Sequence, residues 1–154
     1  MVHLRARGAC EYCLLPIVGA FNVDHIIPPG KWTDYVKGRL TGVPPQPGRR
    51  GPDHLDNYAC ACPHCNNQKG EEVARRDVSG LVRLFDPRYD HWPDYFVFEE
   101  SRYLFVVGVP PEGRATQLQL GFNNGEPDGP LGPRHVAIVE RRYPPPWARK
   151  AYGV

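Results

Sequence analysis

Two Cys-x-x-Cys pairs, Cys10/Cys13 and Cys62/Cys65, place the strongest restriction on how this chain can fold. Each pair presents two thiolates at a separation that suits Zn²⁺, which takes four soft or borderline ligands in a tetrahedron. Because 48 residues separate the pairs, one shared ion closes a long loop and contributes much of the local folding free energy. A four-cysteine site has no open coordination position, so we predict a structural zinc and expect the chemistry to lie elsewhere.

The length and composition of the chain limit its class. The 154 residues suit one domain with room for an appendage, and the 16 Gly and 18 Pro favour a loop-rich fold. The chain has no N-terminal signal pattern and no apolar run near the ~18 residues of a membrane span, so we expect a cytoplasmic protein. In a reducing compartment, five cysteines with this spacing indicate metal binding rather than disulfides.

The first half of the chain has three recognisable segments. Residues 21–27 (FNVDHII) alternate apolar and polar side chains, which predicts a strand that ends at Pro28-Pro29-Gly30. Residues 31–53 are rich in Gly, Pro and basic residues and predict a long surface loop with room for one short helix. Residues 63–76 contain good helix formers and predict a helix that closes near Gly80.

The second half has weaker patterns. Residues 94–109 predict a hairpin with its turn near Glu100 and Ser101, and residues 113–120 predict a short helix. Residues 123–133 form a Gly/Pro loop, and residues 134–143 are compatible with a helix or a strand. These elements together predict the α+β class.

The dipeptide Asp24-His25 has the strongest chemical signal outside the cysteines. A carboxylate is a hard oxygen ligand that suits Mg²⁺ or Mn²⁺, and a neutral imidazole is a suitable base near neutral pH. Neighbouring side chains of a strand point to opposite faces, so a twist or bulge is needed for both to serve one site. A hydrogen-bonded strand histidine without chemistry is the plain alternative for His25.

The segments FNVDHIIP and LDNYACACPHCNNQKG resemble the zinc-containing HNH endonuclease family, whose active site is the ββα-metal motif. The segments LFDPRYDHW, FVFEES and VVGVPPEGRATQLQL are similar to the C-terminal extension of one bacterial branch of that family, so the resemblance covers most of the chain. It implies a zinc-braced ββα-metal nuclease core over residues 1–80. It also implies an α+β extension over residues 81–154 that packs on this core, with an additional hairpin and short helices.

The resemblance implies roles for five residues. His25 becomes the general base that deprotonates water, and Asn57 orients that base or braces the loop. Asp24 and Asn66 become ligands of the catalytic divalent ion, and Lys69, on the same helical face as Asn66, is placed to meet phosphate. The metal ligand found four residues further along the helix in some relatives is absent here, because that position is Gly70. Two protein ligands favour Mg²⁺ or Mn²⁺ over tightly held zinc.

Nucleic-acid contacts have to come from local patches, because the formal net charge is only +2. The loop of residues 31–53 supplies basic candidates for contact with the DNA backbone, namely Lys31, Arg39, Arg49 and Arg50.

The sequence therefore predicts an endonuclease that hydrolyses or nicks DNA, with duplex as the expected substrate, and leaves 5′-phosphate and 3′-hydroxyl ends as the family does. One alternative is a non-catalytic zinc-ribbon module that binds nucleic acid and needs no Mg²⁺. Another is an RNase or toxin-type nuclease. The sequence leaves open the oligomeric state and the roles of His54 and His64.

Overall fold

The structure is a computed structural model, and it describes residues 1–99, 104–125 and 129–153. These residues form a mixed α+β fold with three two-stranded antiparallel sheets, which confirms the α+β prediction. The strands are β1 Asn22–His25, β2 Tyr58–Ala61, β3 Ala74–Asp77, β4 Gly80–Arg83, β5 Phe96–Phe98 and β6 Val106–Gly108. The helices are α1 Val2–Arg5, α2 Trp32–Val36, α3 Pro63–Lys69, α4 Trp92–Tyr95, α5 Pro111–Gln119, α6 Leu131–Val139 and α7 Pro146–Tyr152.

Strands β1 and β2 form the sheet that carries the Asp24-His25 dipeptide. Asp24 is paired with Ala59 and His25 with Tyr58, and the strand is shorter than the predicted residues 21–27. Its alternation is as expected, because Val23 is exposed while Asp24 is buried. Strand β2 leads directly into α3, and α3 packs against both strands of this sheet.

Helix α3 ends at Lys69, so the predicted helix over residues 63–76 is too long. Gly70 follows with φ 51° and ψ −127°, outside the helical region and easily reached only by glycine. Arg75 and Arg76 lie instead in β3, where they pair with Val82 and Leu81 of β4. Pairing with a strand further along the chain therefore overrides the helix propensity of this segment.

The C-terminal half contains the expected hairpin, since β5 and β6 are antiparallel partners. Its predicted turn near Glu100 and Ser101 lies outside the described residues. The predicted helix of residues 113–120 is α5, and the segment that suited a helix or a strand is mainly helical, in α6, which begins at Leu131 inside the predicted loop.

One apolar core contains residues from the predicted nuclease core (residues 1–80) and from the predicted extension (residues 81–154). It runs from Cys10 and Tyr12 to Tyr143 and Ala148. The predicted boundary at residue 80 lies in the β3–β4 hairpin, whose strands are paired across it. Helix α5 packs on β3 and β6, and the Gln119 amide donates a 2.9 Å hydrogen bond to the Gln68 carbonyl at the end of α3. The C-terminal half therefore packs directly on the helix that carries the second cysteine pair.

The segment of residues 31–53 is less superficial than predicted. It contains α2, and a small apolar cluster of Ile27, Tyr35 and Val43 attaches it to the end of β1. None of the helices in the described part of the chain is long and apolar enough to cross a membrane.

Candidate functional site

The four cysteines of the two Cys-x-x-Cys pairs converge in the interior. Their sulfur atoms all lie within 4.8 Å of one another, and the Sγ atoms of Cys13 and Cys62 are 3.9 Å apart. Zn–S bonds of about 2.3 Å place tetrahedral sulfurs about 3.8 Å apart, so the donor set fits a four-cysteine zinc ion. Among the described residues, this is the one group of His, Cys, Asp and Glu side chains arranged to share a metal.

Two local structures present these sulfurs. Cys10 and Cys13 lie in a tight turn, in which the Leu14 amide donates to the Cys10 carbonyl and Leu14 has a φ of 61°. Cys62 precedes the first turn of α3, and its sulfur accepts a 3.4 Å hydrogen bond from the Cys65 amide. Two hydrogen bonds between Glu11 and Cys60 attach this turn to β2. The Glu11 amide donates to the Cys60 carbonyl, and the Cys60 amide donates to Glu11 Oε2.

The ionisation of this cluster depends on its surroundings. Burial raises the pKa of the Cys10 and Cys65 thiols, whereas hydrogen bonds from the neighbouring cysteines lower the pKa of Cys13. Four thiolates in the interior therefore need a divalent cation to balance them, which agrees with a zinc site whose role is structural.

Asp24 lies in the interior between the cysteine turn and α3. Its Oδ2 accepts a 2.5 Å hydrogen bond from the Tyr12 hydroxyl, and the Lys69 ammonium lies 3.1 Å from both carboxylate oxygens. Burial raises the pKa of Asp24, and the positive charge of Lys69 opposes this shift. Burial also lowers the pKa of Lys69, so the two groups form an ion pair in which each compensates the other's desolvation.

Lys69 is not on the surface, and its predicted contact with phosphate is contradicted by its position. Its side chain is only 2% exposed, and its ammonium also donates a 2.9 Å hydrogen bond to the His25 carbonyl. The lysine therefore connects α3 to β1 through both residues of the Asp24-His25 dipeptide.

His25 is the accessible member of the dipeptide. The β1–β2 register is continuous over its four pairs, so the twist or bulge that would turn both side chains to one face is not seen in this strand pair. The His25 ring packs edge-on against Tyr58, with centroids 4.9 Å apart, and its Nε2 lies 3.0 Å from Asp53 Oδ1. Its side chain is 33% exposed, which leaves the imidazole within reach of a molecule in solvent.

Asn57 is fully buried and braces the loop before β2. Its amide nitrogen donates to the carbonyls of Ile27 and Pro52, both at 2.8 Å, and its Oδ1 accepts from the Ile27 amide and from Arg49. Of the two roles that the resemblance implied, bracing the loop agrees with these contacts. Asn57 makes no direct side-chain hydrogen bond to His25 within the described residues.

Asn66 is half-buried on α3, three residues before Lys69 and therefore on the same side of that helix. Its side chain makes no hydrogen bond to any other residue that the structure describes. A carboxylate has about four acceptor positions, and Tyr12 and Lys69 occupy two of those on Asp24. The Lys69 charge beside it reduces the attraction of the Asp24 carboxylate for a second cation.

The four basic residues of the loop divide into two groups. Arg49 is buried, with an ion pair to Asp86 and a 2.9 Å hydrogen bond to the Asp56 carbonyl, so the predicted surface position is wrong for this residue. Arg39 and Arg50 are exposed, and Lys31 is partly exposed with its ammonium on the Glu71 carbonyl. Arg50 and Arg39 therefore remain the accessible cations of the predicted DNA contact.

Three site residues were missed by sequence reasoning, namely Tyr12, Asp53 and Tyr58. Tyr12 lies between the first two cysteines, where the Cys-x-x-Cys spacing drew attention to the sulfurs alone. Asp53 and Tyr58 flank the segment that contains Asn57, but nothing in the local pattern indicates that both contact His25 or each other. His64, whose role was left open, lies 2.8 Å through Nε2 from the Leu120 carbonyl, which connects α3 to the end of α5.

Comparisons with known proteins give no relative for this chain: no family model, no curated protein and no solved structure matches it. The chemistry of the residues themselves is therefore the basis for any function.

Proposed function

We propose that this chain is a metal-dependent endonuclease of the HNH type that hydrolyses DNA phosphodiester bonds. The observation that carries the proposal is the partly exposed imidazole of His25, which adjoins a buried carboxylate on a strand against which the helix of Asn66 packs. The order strand, strand, helix in β1, β2 and α3 agrees with a ββα-metal motif. The four cysteines would then brace this motif through zinc.

In the proposed reaction, the water oxygen forms a bond to phosphorus and the bond from phosphorus to the 3′ oxygen breaks. His25 accepts the proton that the water loses, the departing 3′ oxygen takes a proton from solvent, and the products are a 5′-phosphate and a 3′-hydroxyl. A Mg²⁺ or Mn²⁺ ion held by Asp24 and Asn66 would supply positive charge for the departing oxygen, which requires β1 to twist so that the Asp24 carboxylate turns toward the face of His25. Lys69 holds β1, which carries His25 and Asp24, against α3, which carries Asn66.

Replacement of His25 tests this proposal. In a supercoiled-plasmid assay with Mg²⁺ or Mn²⁺, the wild-type chain should nick or linearise the plasmid, and His25→Ala should lower the rate by at least about 100-fold, the contribution typical of a general base. Bound zinc and the unfolding transition should not change.

His54→Ala is the matched control, because the His54 side chain is 35% exposed, close to the 33% of His25, and lies in the same part of the molecule. It should cut at close to the wild-type rate. Equal cutting by His25→Ala and the wild-type chain would refute the nuclease assignment. Parallel assays with RNA and single-stranded DNA separate the DNase from an RNase or toxin-type nuclease.

One observation favours the alternative of a non-catalytic zinc module that binds nucleic acid. The Asp24 carboxylate already has a cation from within the protein, in Lys69, which is sufficient to explain its burial without a metal. This alternative predicts binding to nucleic acid that needs zinc but is insensitive to Mg²⁺. It also predicts no cleavage by the wild-type chain under any divalent ion.

A further inference from the structure

We propose that Asp53 is a positioning residue for His25. Asp53 holds the imidazole ring at Nε2, and this leaves Nδ1 as the atom that accepts the proton of the attacking water. This inference rests on the proposed nuclease function. It assigns a role to a residue that the sequence patterns did not single out.

The contact between the two side chains defines the tautomer of the imidazole. Nε2 of His25 lies 3.0 Å from Oδ1 of Asp53. A carboxylate accepts hydrogen bonds and has no proton to donate, so Nε2 carries the hydrogen in this contact. A neutral imidazole has one protonated nitrogen, and the lone pair is therefore on Nδ1.

The position of Asp53 is determined by a buried network rather than by its own exposed pairing. The Asp53 side chain is 75% exposed, and exposed ion pairs are weak on their own. The residue before it, however, is held by the buried amide of Asn57, which donates a 2.8 Å hydrogen bond to the Pro52 carbonyl. Asn57 thereby acts on His25 through Asp53, and not by direct contact.

A second donor holds the same carboxylate oxygen. The Tyr58 hydroxyl lies 3.3 Å from Asp53 Oδ1, and the Tyr58 ring packs against the His25 ring from the neighbouring strand. Among the residues that the structure describes, two other charged groups contact or adjoin His25: Asp24 beside it on β1 and the Lys69 ammonium on its carbonyl. Asp24 and Lys69 are buried, whereas Asp53 meets the imidazole from the solvent side.

Kinetics with a short fluorescent duplex test the role. Asp53→Ala should lower kcat by about 10- to 100-fold and leave KM within about twofold, because a base displaced by about 1 Å loses rate rather than binding. Asp53→Asn keeps an acceptor oxygen and should recover most of the lost rate. Asp94→Ala removes another exposed carboxylate, 71% exposed against the 75% of Asp53 and outside the proposed site, and should cut as fast as the wild-type chain.

The double variant distinguishes positioning from an independent effect. In a His25→Ala background, Asp53→Ala should have no further effect on the residual rate, since its target is gone. Equal kcat for Asp53→Ala and wild type, or a loss that appears only in KM, would overturn the role of Asp53 and leave the nuclease function standing. A wild-type chain that cleaves nothing would instead remove the proposed function, and this role with it.

The tautomer of His25 can also be read without any activity. Long-range ¹H–¹⁵N spectra of the labelled wild-type chain, assigned with His25→Ala, should show the neutral ring protonated at Nε2, with shifts that move toward a free imidazole in Asp53→Ala. A ring protonated at Nδ1 in the wild-type chain would contradict the proposal, whatever the cleavage assay gives.

Discussion

The cysteine cluster and the Asp24-His25 strand share helix α3 but satisfy their buried polar groups in opposite ways. Cys62 and Cys65 at the start of the helix belong to a closed set of four buried cysteines, whose thiolates need a metal ion to balance their charge. Lys69 at its end gives Asp24 a cation from within the protein. One region thus depends on an ion for its charge balance, whereas the other is already neutral overall.

This difference separates stability from chemistry. The cysteine site has no ligand position for a substrate, and its contribution is to hold the turn of Cys10 and Cys13 against α3. The strand site keeps the imidazole of His25 partly exposed. Buried contacts hold the backbone around it, from Lys69 to the His25 carbonyl and from Asn57 to the Pro52 carbonyl. A loss of the first should therefore unfold the chain, and a loss of the second should alter function or stability residue by residue.

The largest expected effect comes from breaking the cysteine cluster. Cys13→Ser should lose stoichiometric zinc and, with it, cooperative unfolding at 25 °C, because zinc binding at structural sites is worth about 10–16 kcal/mol in small domains. Zinc content measured by mass spectrometry and unfolding measured by circular dichroism check this.

Cys60→Ala is the matched control, because Cys60 is also fully buried but lies outside the cluster. It should keep one zinc per chain and lose only about 1 kcal/mol of unfolding free energy, as expected for a small change in the core. Normal zinc content in Cys13→Ser would contradict the assignment of a four-cysteine site.

An intermediate effect is expected from removal of the internal cation. Lys69→Met leaves the buried Asp24 carboxylate without its partner and should lower the unfolding free energy by about 3–5 kcal/mol in urea titrations. Zinc content should stay normal, which is the result that separates this region from the cysteine cluster.

A double-mutant cycle tests the ion pair between Asp24 and Lys69. Asp24→Asn combined with Lys69→Met should cost less than the sum of the two single changes, because neither charge is then left alone. Lys31→Met, at a partly exposed lysine, should cost less than about 1 kcal/mol. If Asp24 also holds a divalent ion, added Mn²⁺ should restore part of the stability of Lys69→Met but none in the double variant. A loss below about 1 kcal/mol for Lys69→Met would show that the ion pair is not the stabilising contact.

The two regions also differ in how far sequence alone could predict them. Cysteine spacing is local and chemically specific, so the convergence of all four sulfurs follows from the pattern. The alternation of Val23 and Asp24 likewise predicted that their side chains face opposite ways, but not that the apolar Val23 is the exposed one. The pairing of Asp24 with Lys69 brings together residues 45 positions apart, and no local pattern signals it.

The basic loop is the second place where local pattern and structure diverge. Arg49 and Arg50 are neighbours in a Gly- and Pro-rich segment, and by composition both belong to a solvated loop. Arg49 is buried because Asp86, 37 residues further along, accepts its charge and the rings of Tyr35 and Tyr89 lie against its guanidinium. The end of α3 is a similar case, since β4 decides that Arg75 and Arg76 are in a strand.

The smallest expected effect comes from the exposed neighbour of that buried arginine. The Arg50 side chain is 68% exposed, whereas that of Arg49 is 0% exposed. Substitutions at these adjacent positions therefore compare the loss of a surface charge with the loss of a buried charge. Arg50→Gln should lower duplex affinity only a few-fold and reduce the slope of log K against log salt by about 1, with stability within about 0.5 kcal/mol of wild type. Fluorescence anisotropy at several salt concentrations measures the duplex affinity and the salt slope.

Arg49→Gln should instead destabilise the fold, because it leaves the buried Asp86 without its cation. An unchanged salt slope in Arg50→Gln would exclude Arg50 from the DNA contact and leave Arg39 as the other exposed cation of the predicted contact.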